Sequence, residues 1–238
     1  MDEAALAARD VRLLSLRGER RFLETVRATP EHTFGLILAL LRRYGRAFAD
    51  VAAGRWDRDA CRGEELRGNR VGIVGLGRVG YRVAAYCSAF GADVAWFDPE
   101  DVPFEPAWRR LPDVASVIAE SRIVVLCASH RSDQPPIFGE REIAALSGRY
   151  LVNTARGELV DEPALLAALR DHRLAGAAVD VIADENGDNR LNEWRALLPG
   201  RNIVVTPHIG GATFDAMART ELFLAEKLEA SISEGAAA

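Results

Sequence analysis

A glycine-rich turn is the first feature of this sequence that points to chemistry. Three glycines follow the spacing GxGxxG, directly after a short apolar run and directly before a helical pattern. In such a turn the first glycine allows the tight bend, the second lets the backbone approach a pyrophosphate, and the third lets the helix pack on the strand. The free N–H groups and the dipole at the start of the helix favour an anion there. We expect five residues to bind the pyrophosphate of a dinucleotide: Gly75, Gly77, Arg78, Val79 and Gly80.

Asp98 follows the next predicted strand, 18 residues after Gly80. A carboxylate about 20 residues beyond the glycine motif accepts hydrogen bonds from the adenine ribose diol of a dinucleotide. The same carboxylate repels a 2′-phosphate, so the sequence favours NAD over NADP as the cofactor. Two structural alternatives stay open: Asp98 only caps the turn at Asp98-Pro99, and the glycines serve only the geometry of their own turn.

Three further motifs carry a resemblance to a known family. They lie at residues 152–161 (VNTARGELVD), at 178–181 (AVDV) followed by Glu185, and at 206–213 (TPHIGGAT). Together with the glycine-rich turn, their order and spacing resemble the D-isomer-specific 2-hydroxyacid dehydrogenases. This family includes phosphoglycerate, glycerate, formate and D-lactate dehydrogenases. The resemblance runs from about residue 11 to the C-terminal helix.

The resemblance implies a role for each matching residue. Arg156 is expected to bind the carboxylate and the carbonyl oxygen of the substrate, and Glu185 and His208 are expected to form an acid/base pair. The histidine then donates the proton when a 2-oxo acid is reduced and accepts it in the reverse direction. The residues expected to line the nicotinamide are Thr154, Ala155, Asp180, Gly210 and Gly211.

The chemistry of hydride transfer agrees with these three residue types. Hydride transfer to a ketone builds negative charge on oxygen, so a cation and a proton donor are needed beside it. A guanidinium binds a carboxylate with two hydrogen bonds, and a carboxylate beside an imidazole favours the charged imidazolium. Alternatives stay open: Arg156 forms a surface ion pair, or His208 is structural. Asn186 stands where the family has proline, so the polar segment 184–189 is also compatible with a solvated loop.

Composition limits the class of protein. The 238 residues are 49% apolar and 27% charged, which is typical of a folded globular chain. A net charge of −5 without a basic tract argues against nucleic acid as a partner. The three cysteines, Cys61, Cys87 and Cys127, show no CxxC spacing, so we expect no disulfide, no metal site and a reducing cytoplasm. The longest apolar stretch, 34–41, is far shorter than the ~20 residues of a membrane span, so we expect neither membrane insertion nor export.

From residue 70 onward, β-branched runs alternate with amphipathic helical patterns. This alternation predicts an α/β fold with a doubly wound parallel sheet, a Rossmann dinucleotide-binding domain. The predicted strands are 70–74, 93–97, 123–126, 150–152, 177–181 and 203–205. The predicted helices are 79–90, 114–120 with Asp113 as the N-cap, 140–146 and 163–170. Arg156, Glu185 and His208 then follow predicted strands, at the carboxyl edge where doubly wound sheets bind ligands.

The two ends of the chain give different patterns. The N-terminal part predicts a helix at 1–8, a lone strand at 11–16 and one long helix at 31–53. The long helix presents an apolar face of Phe34, Leu38, Leu41 and Phe48, and Trp56 after it is expected to be a packing residue. At the C-terminus a helix is predicted at 213–233, followed by a low-complexity tail at 234–238.

The resemblance also implies a domain organisation. We expect residues 1–30 to be a remnant of a second, flavodoxin-like substrate domain, and residues 31–212 to be the dinucleotide-binding domain with a dimerisation helix. Residues 213–238 are expected to be the C-terminal helix and tail. Most of the substrate domain that closes over the site in the family is then missing. The helix at 31–53 corresponds to a dimer arm in the family, so we expect a homodimer.

Three functions stay open at this point. The leading hypothesis is an NAD-dependent oxidoreductase that transfers hydride between nicotinamide and a 2-hydroxy or 2-oxo acid, or a related small carbonyl compound. The second is a redox-neutral lyase or cyclase on the same NAD-binding scaffold. The third is a non-catalytic NAD(H)-responsive binding protein. The presence of all three catalytic residue types favours an enzyme over a binding protein.

Overall fold

The computed structural model describes residues 5–6, 8–9, 11–131 and 133–236. The chain divides into two compact units. One unit comprises Thr29–Gly210, and the other comprises the described residues up to Ala28 together with those from Gly211 onward.

The larger unit is built on a seven-stranded sheet in which every pair of neighbouring strands is parallel. The strands are β1 (Arg70–Val74), β2 (Asp93–Phe97), β3 (Arg109–Arg110), β4 (Ile123–Leu126), β5 (Tyr150–Asn153), β6 (Gly176–Val179) and β7 (Ile203–Val205). Their order is β3-β2-β1-β4-β5-β6-β7, so the winding changes direction between β1 and β4. This order confirms the predicted doubly wound α/β fold, and ligands of such folds bind at the carboxyl ends of the strands beside that switch point.

Nine α-helices are described. They are α1 (Arg20–Leu23), α2 (Ala28–Leu41), α3 (Tyr44–Ala52), α4 (Arg78–Ala89), α5 (Val114–Glu120), α6 (Glu140–Ala145), α7 (Glu162–Arg170), α8 (Leu191–Leu197) and α9 (Phe214–Ala236). The predicted N-cap is confirmed, because the side chain of Asp113 accepts a hydrogen bond from the Ser116 N–H at 2.7 Å.

Apolar residues cover both faces of the sheet. One cluster packs α5, α6, α7 and α8 against the sheet, and the other packs α2 and α4 against the opposite face. Alternate residues of β4 serve the two clusters: Val124 and Leu126 point to the first, and Ile123 and Val125 to the second. Burial on both faces explains why the strands read as short β-branched runs rather than as alternating polar and apolar residues.

The predicted helix at 31–53 is wrong as a single element. The chain forms α2 and α3, separated by Arg43, whose backbone is left-handed with φ 54°. Beyond this break Gly45 lies against the Ile203 carbonyl, where an added methyl group would approach to 3.3 Å. The break therefore lets α3 turn onto β7, a tertiary contact that apolar periodicity along the chain does not encode.

Other expectations for the chain ends and loops also differ from the structure. Residues 11–16 form no strand, because no neighbouring strand pairs with them in the described chain. Trp56 is 90% exposed and is not a packing residue. Helix α9 runs on to Ala236, into the predicted tail. Of the predicted helix at 1–8, residues 5 and 6 are helical and most of the rest lies outside the described residues, as do 237 and 238. Strand β3 and helices α1 and α8 were not predicted.

The smaller unit is held by contacts between its two chain segments. The ring of Phe22 stacks on that of Phe223 with centroids 4.0 Å apart. Lys227 pairs with Glu19, and the Arg219 guanidinium donates to the Thr25 carbonyl at 3.2 Å. One face of α9 therefore packs on α1 and the segment around it.

Candidate active site

The glycine-rich turn joins β1 to α4. Gly75 is left-handed with φ 91°, and its N–H donates to the Phe97 carbonyl at 2.8 Å. A methyl group on Gly80 would overlap the Gly75 carbonyl, so the helix packs on the turn as closely as glycine allows. A methyl group on Gly77 would meet no atom within 4 Å. The first and third glycines are therefore required by the fold, whereas the second keeps open space at the N-terminal end of α4, beside Arg78 and Val79.

Asp98 lies directly after β2 and faces this turn. One carboxylate oxygen accepts from the Leu76 N–H at 2.8 Å, and the other accepts from the Glu100 N–H at 2.9 Å. A cavity of about 510 Å³ lies beside it, lined by Phe97, Asp98, Pro99, Arg110, Leu111 and Pro112. Asp98 thus caps its turn and also borders a cavity, and each carboxylate oxygen keeps a second lone pair for a ligand hydroxyl.

Arg156 is carried by a short loop after β5. The buried side chain of Asn153 holds this loop at both ends: its amide donates to the Arg156 carbonyl at 2.9 Å and its oxygen accepts from the Ala155 N–H at 3.0 Å. The hydroxyl of Thr154 lies 2.7 Å from that of Thr33 on α2. The guanidinium itself is exposed, and its Nη1 donates to the Ala155 carbonyl at 2.6 Å, so the cation lies at the surface of the loop.

Asp180 lies at the end of β6, where its carboxylate gathers several hydrogen bonds. The Thr206 hydroxyl donates to it at 2.5 Å, the Ile209 N–H at 2.9 Å and the Gly210 N–H at 2.8 Å. His32 Nε2 on α2 lies 3.2 Å from the same carboxylate. Burial alone would raise the pKa of Asp180, but the hydrogen bonds from His32, Thr206 and the two backbone groups outweigh it and lower the pKa to about 2. The side chain is therefore a buried anion.

His208 and Glu185 form a pair above this carboxylate. His208 Nδ1 lies 2.7 Å from Glu185 Oε2, and because an ionised carboxylate only accepts, Nδ1 is the donor. His208 has a left-handed backbone with φ 53°, and its N–H donates to the Asp180 carbonyl at 2.8 Å. With Nδ1 engaged, Nε2 of the half-exposed imidazole is the nitrogen that can exchange a proton with a ligand.

The polar segment before α8 is ordered by its own side chains. The carboxylate of Asp184 accepts from the Asp188 N–H at 2.9 Å, and the Asn189 amide donates to the Glu185 carbonyl at 3.0 Å. These hydrogen bonds give the polar segment 184–189 a defined local conformation.

The structure brings the expected catalytic residues to one edge of the sheet. Arg156, Glu185 and His208 follow β5, β6 and β7, which are neighbours in the sheet. Backbone bonds continue past the strand ends, since the Asp180 N–H donates to the Asn153 carbonyl at 2.9 Å. Thr154, Ala155 and Gly210 lie in the same network, whereas Gly211 falls in the smaller compact unit.

Sequence reasoning missed several polar residues of the site. His32 and Thr33 reach it from α2. The Asn153 side chain bonds to the Arg156 carbonyl, and Glu162 accepts from the indole of Trp194 in α8. For His32, Thr33 and Glu162 the residue type is the only local signal, because their partners in the site lie far away along the chain. Asn153 bonds within its own loop and lies inside the motif at 152–161. In the described residues no three His, Cys, Asp or Glu side chains are grouped to hold a metal ion. No described helix has the length and apolar character needed to cross a membrane.

This fold and site define a dinucleotide-binding domain with a histidine–glutamate pair at the ligand edge of its sheet. A family model described as "D-isomer specific 2-hydroxyacid dehydrogenase, NAD binding domain" matches residues 34–210. The chain belongs to the D-isomer specific 2-hydroxyacid dehydrogenase family, and this segment is its NAD binding domain.

Individual relatives agree with the family assignment. D-3-phosphoglycerate dehydrogenase 2 of Saccharomyces cerevisiae is 31% identical over 218 residues, covering 88% of this chain and 46% of the yeast protein. Hydroxypyruvate reductase of Thermotoga maritima is 33% identical over 203 residues, covering 83% of this chain and 64% of the relative. The chain thus spans less than two thirds of the length of each.

Solved structures show the same fold. The structure of a 2-hydroxyacid dehydrogenase from Polaromonas superposes with a TM-score of 0.86 at 27% identity, over 98% of this chain and 72% of that one. D-lactate dehydrogenase from Aquifex aeolicus, solved with NAD and lactic acid, gives a TM-score of 0.84 at 25% identity, over 98% of this chain and 73% of that one.

Replacing Asp180 by Asn is expected to lower the free energy of unfolding at neutral pH by about 2 kcal/mol, because the ionised carboxylate binds its donors more strongly than an amide does. A carboxyl group with a lowered pKa stabilises the folded state at pH values above its ordinary pKa. This stabilisation is lost as the pH falls towards the folded pKa of about 2. Urea unfolding at several pH values should therefore show a difference that is constant above pH ~5 and shrinks below pH ~4. The exposed Asp171→Asn is the control, and a difference that persists undiminished at pH ~3 would contradict the assignment.

Proposed function

We propose that this chain transfers hydride between the nicotinamide of NAD and a small 2-hydroxy or 2-oxo acid. The observation that carries the proposal is the pair of His208 and Glu185, 2.7 Å apart, at the sheet edge that also presents Arg156. A proton donor, its charge partner and an exposed guanidinium are the groups that reduction of a 2-oxo acid requires.

The proposed roles follow from the geometry of each side chain. Arg156 binds the substrate carboxylate and draws charge from the carbonyl oxygen with its planar guanidinium. His208 donates a proton from Nε2 to that oxygen, and Glu185 at Nδ1 stabilises the imidazolium before transfer. The cofactor, when bound, supplies the hydride that adds to the carbonyl carbon. In the reverse direction His208 accepts the hydroxyl proton.

The cofactor site is proposed on the same edge. The open space at Gly77 and the N-terminal end of α4 suit the pyrophosphate, with Gly75, Arg78, Val79 and Gly80 around it. Asp98 and the cavity beside it suit the adenine ribose. The residues proposed to face the nicotinamide are Thr154, Ala155, Asp180, Gly210 and Gly211. Support comes from relatives solved with NAD, such as D-lactate dehydrogenase from Aquifex aeolicus.

We propose that the N-terminal segment of the smaller unit is a remnant of a substrate domain. The proposed boundaries assign residues 1–30 to that remnant, 31–212 to the dinucleotide-binding domain and 213–238 to the C-terminal helix and tail. The support is the division of the described chain, in which the residues up to Ala28 fall outside the unit Thr29–Gly210.

We also propose a homodimer in a reducing compartment such as the cytoplasm. Helix α3 presents Tyr44, Phe48 and Val51 on one exposed face, and Phe48 is 69% exposed. An exposed apolar patch on one helix face is typical of a protein interface. The three cysteines are free thiols, which suits a reducing compartment.

Replacing His208 by Asn is expected to lower kcat for NADH-dependent reduction by about 10²- to 10⁴-fold and to leave the Kd for NADH unchanged, because the imidazole acts in proton transfer. Turnover is followed at the reduced-nicotinamide absorbance with pyruvate, hydroxypyruvate, glyoxylate and phenylpyruvate. His172→Asn is the matched control, since His172 is also left-handed, with φ 55°, but lies at the end of α7. Full activity of the His208 variant would exclude the mechanism. If the unmodified protein binds NADH and turns over none of these acids, the oxidoreductase proposal fails.

Replacing Asp98 by Ala is expected to raise the Kd for NADH about 10- to 100-fold and to reduce the preference over NADPH, because the acceptor for the ribose diol is lost. Fluorescence titration with both dinucleotides measures the two constants. Asp93→Ala, at the opposite end of β2, serves as the control. An unchanged ratio of the two Kd values would refute the ribose assignment.

Replacing Phe48 by Glu is expected to shift the protein from dimer to monomer at micromolar concentration, because a charge then lies in the apolar face of α3. Light scattering gives the mass, and NADH binding together with circular dichroism reports that the fold is intact. A monomeric unmodified protein would contradict the dimer.

A further inference from the structure

Glu162 is a buried carboxylate outside the proposed catalytic set. It is the first residue of α7, and it is 5% exposed. The indole N–H of Trp194 donates to it at 2.7 Å. Burial raises its pKa, and the hydrogen bond from Trp194 opposes the rise. A buried carboxyl group is costly unless a donor satisfies it, so the indole N–H and the carboxylate depend on one another.

This hydrogen bond fixes the far end of the loop that carries Glu185. Trp194 lies in α8, the helix that follows the loop. Trp194 is itself fully buried, so it gives the far end of the loop a fixed anchor. The carboxylate of Glu162 therefore ties the start of α7 to the helix that ends the loop.

The start of the Glu185 loop touches the Arg156 loop. Gly157 lies so close to the backbone of Ile182 and Ala183 that a methyl group there would overlap both. A shift of Ala183 would therefore move the start of the Glu185 loop and press on the residue that follows Arg156. The two proposed catalytic loops therefore contact one another at this point, and a change in the position of one affects the other.

We propose that Glu162 is a positioning residue that holds Glu185 against His208 and fixes the position of the Arg156 loop. Glu162 contacts neither substrate nor cofactor in this proposal, and its effect on rate rests on the proposed function of the His208 and Glu185 pair. It acts by accepting the indole N–H of Trp194, which fixes α8 at the end of the loop.

Substitutions separate this role from a general contribution to stability. Glu162→Leu removes the acceptor for the indole N–H of Trp194, whereas Glu162→Gln keeps one carbonyl oxygen that can accept it. We expect the Leu variant to lower kcat about 10- to 10²-fold with the Kd for NADH unchanged, because small misplacements of catalytic groups have effects of this size. The Gln variant should recover most of the loss. Glu140→Leu is the matched control, since Glu140 also opens a helix, α6, but is exposed.

A double-mutant cycle tests the route through Glu185. If Glu162 acts by placing that carboxylate, Glu162→Leu should cost little further rate once Glu185 is replaced by Gln. Equal losses in the presence and absence of Glu185, or full kcat in the Leu variant, would overturn the proposal. Trp194→Phe, which keeps an aromatic ring and removes one donor, should give a smaller loss in the same direction and guards against a Leu variant that fails to fold.

Hydrogen exchange gives a readout that does not require turnover. Amides between residues 183 and 190 should exchange faster in Glu162→Leu and recover protection in Glu162→Gln, with no change at the glycine-rich turn. Unchanged exchange in this loop would overturn the positioning role of Glu162 even if the protein is a dehydrogenase. Faster exchange in a protein that reduces none of the tested acids would support the positioning role and reject the proposed function.

Discussion

The carboxylate of Asp180 is the interaction on which the site depends. It is 2% exposed, and its charge is retained because His32, Thr206 and two backbone N–H groups donate to it. Its backbone extends the hydrogen bonding of the sheet past the strand ends. The Asp180 carbonyl accepts from the His208 N–H, and the Asp180 N–H donates to the Asn153 carbonyl. A buried anion with fixed donors resists displacement, since each unsatisfied partner would cost about 1–3 kcal/mol. The turn that carries His208 therefore has one stable position.

The neighbouring loops are also held by buried polar side chains. Asn153 holds the Arg156 loop through two backbone groups, and Glu162 holds the end of the Glu185 loop through Trp194. Asn153 and Asp180 thus each satisfy backbone groups just beyond the end of a strand. Such groups stabilise loops without regular structure, because they replace the hydrogen bonds that a strand or helix would provide. These hydrogen bonds hold the residues of the site in place without a ligand, and groups that are already oriented favour electrostatic catalysis.

The parallel sheet explains why these loops meet. Parallel strands place all their carboxyl ends on one edge, and the change of direction between β1 and β4 opens a crevice there. The glycine-rich turn leaves β1 at this crevice, while Arg156, Glu185 and His208 leave the strands beyond β4. The NAD binding domain of the family thereby carries the cofactor turn and the proposed acid/base chemistry on one unit, even though the chain covers 46% of the yeast relative.

The sequence by itself determined the doubly wound fold, the six longer strands and the cofactor turn, because β-branched runs and GxGxxG act within a few residues. The resemblance carried by its motifs pointed to Arg156, Glu185 and His208, and the structure paired the last two. Tertiary structure alone decided the break of the long helix at Arg43, the short strand β3 and the roles of His32 and Glu162. The physical reason is the distance along the chain over which each kind of interaction acts. Turn and strand preferences are local, whereas the partner of a buried polar side chain is set by which elements pack together, and the single residue does not encode that packing.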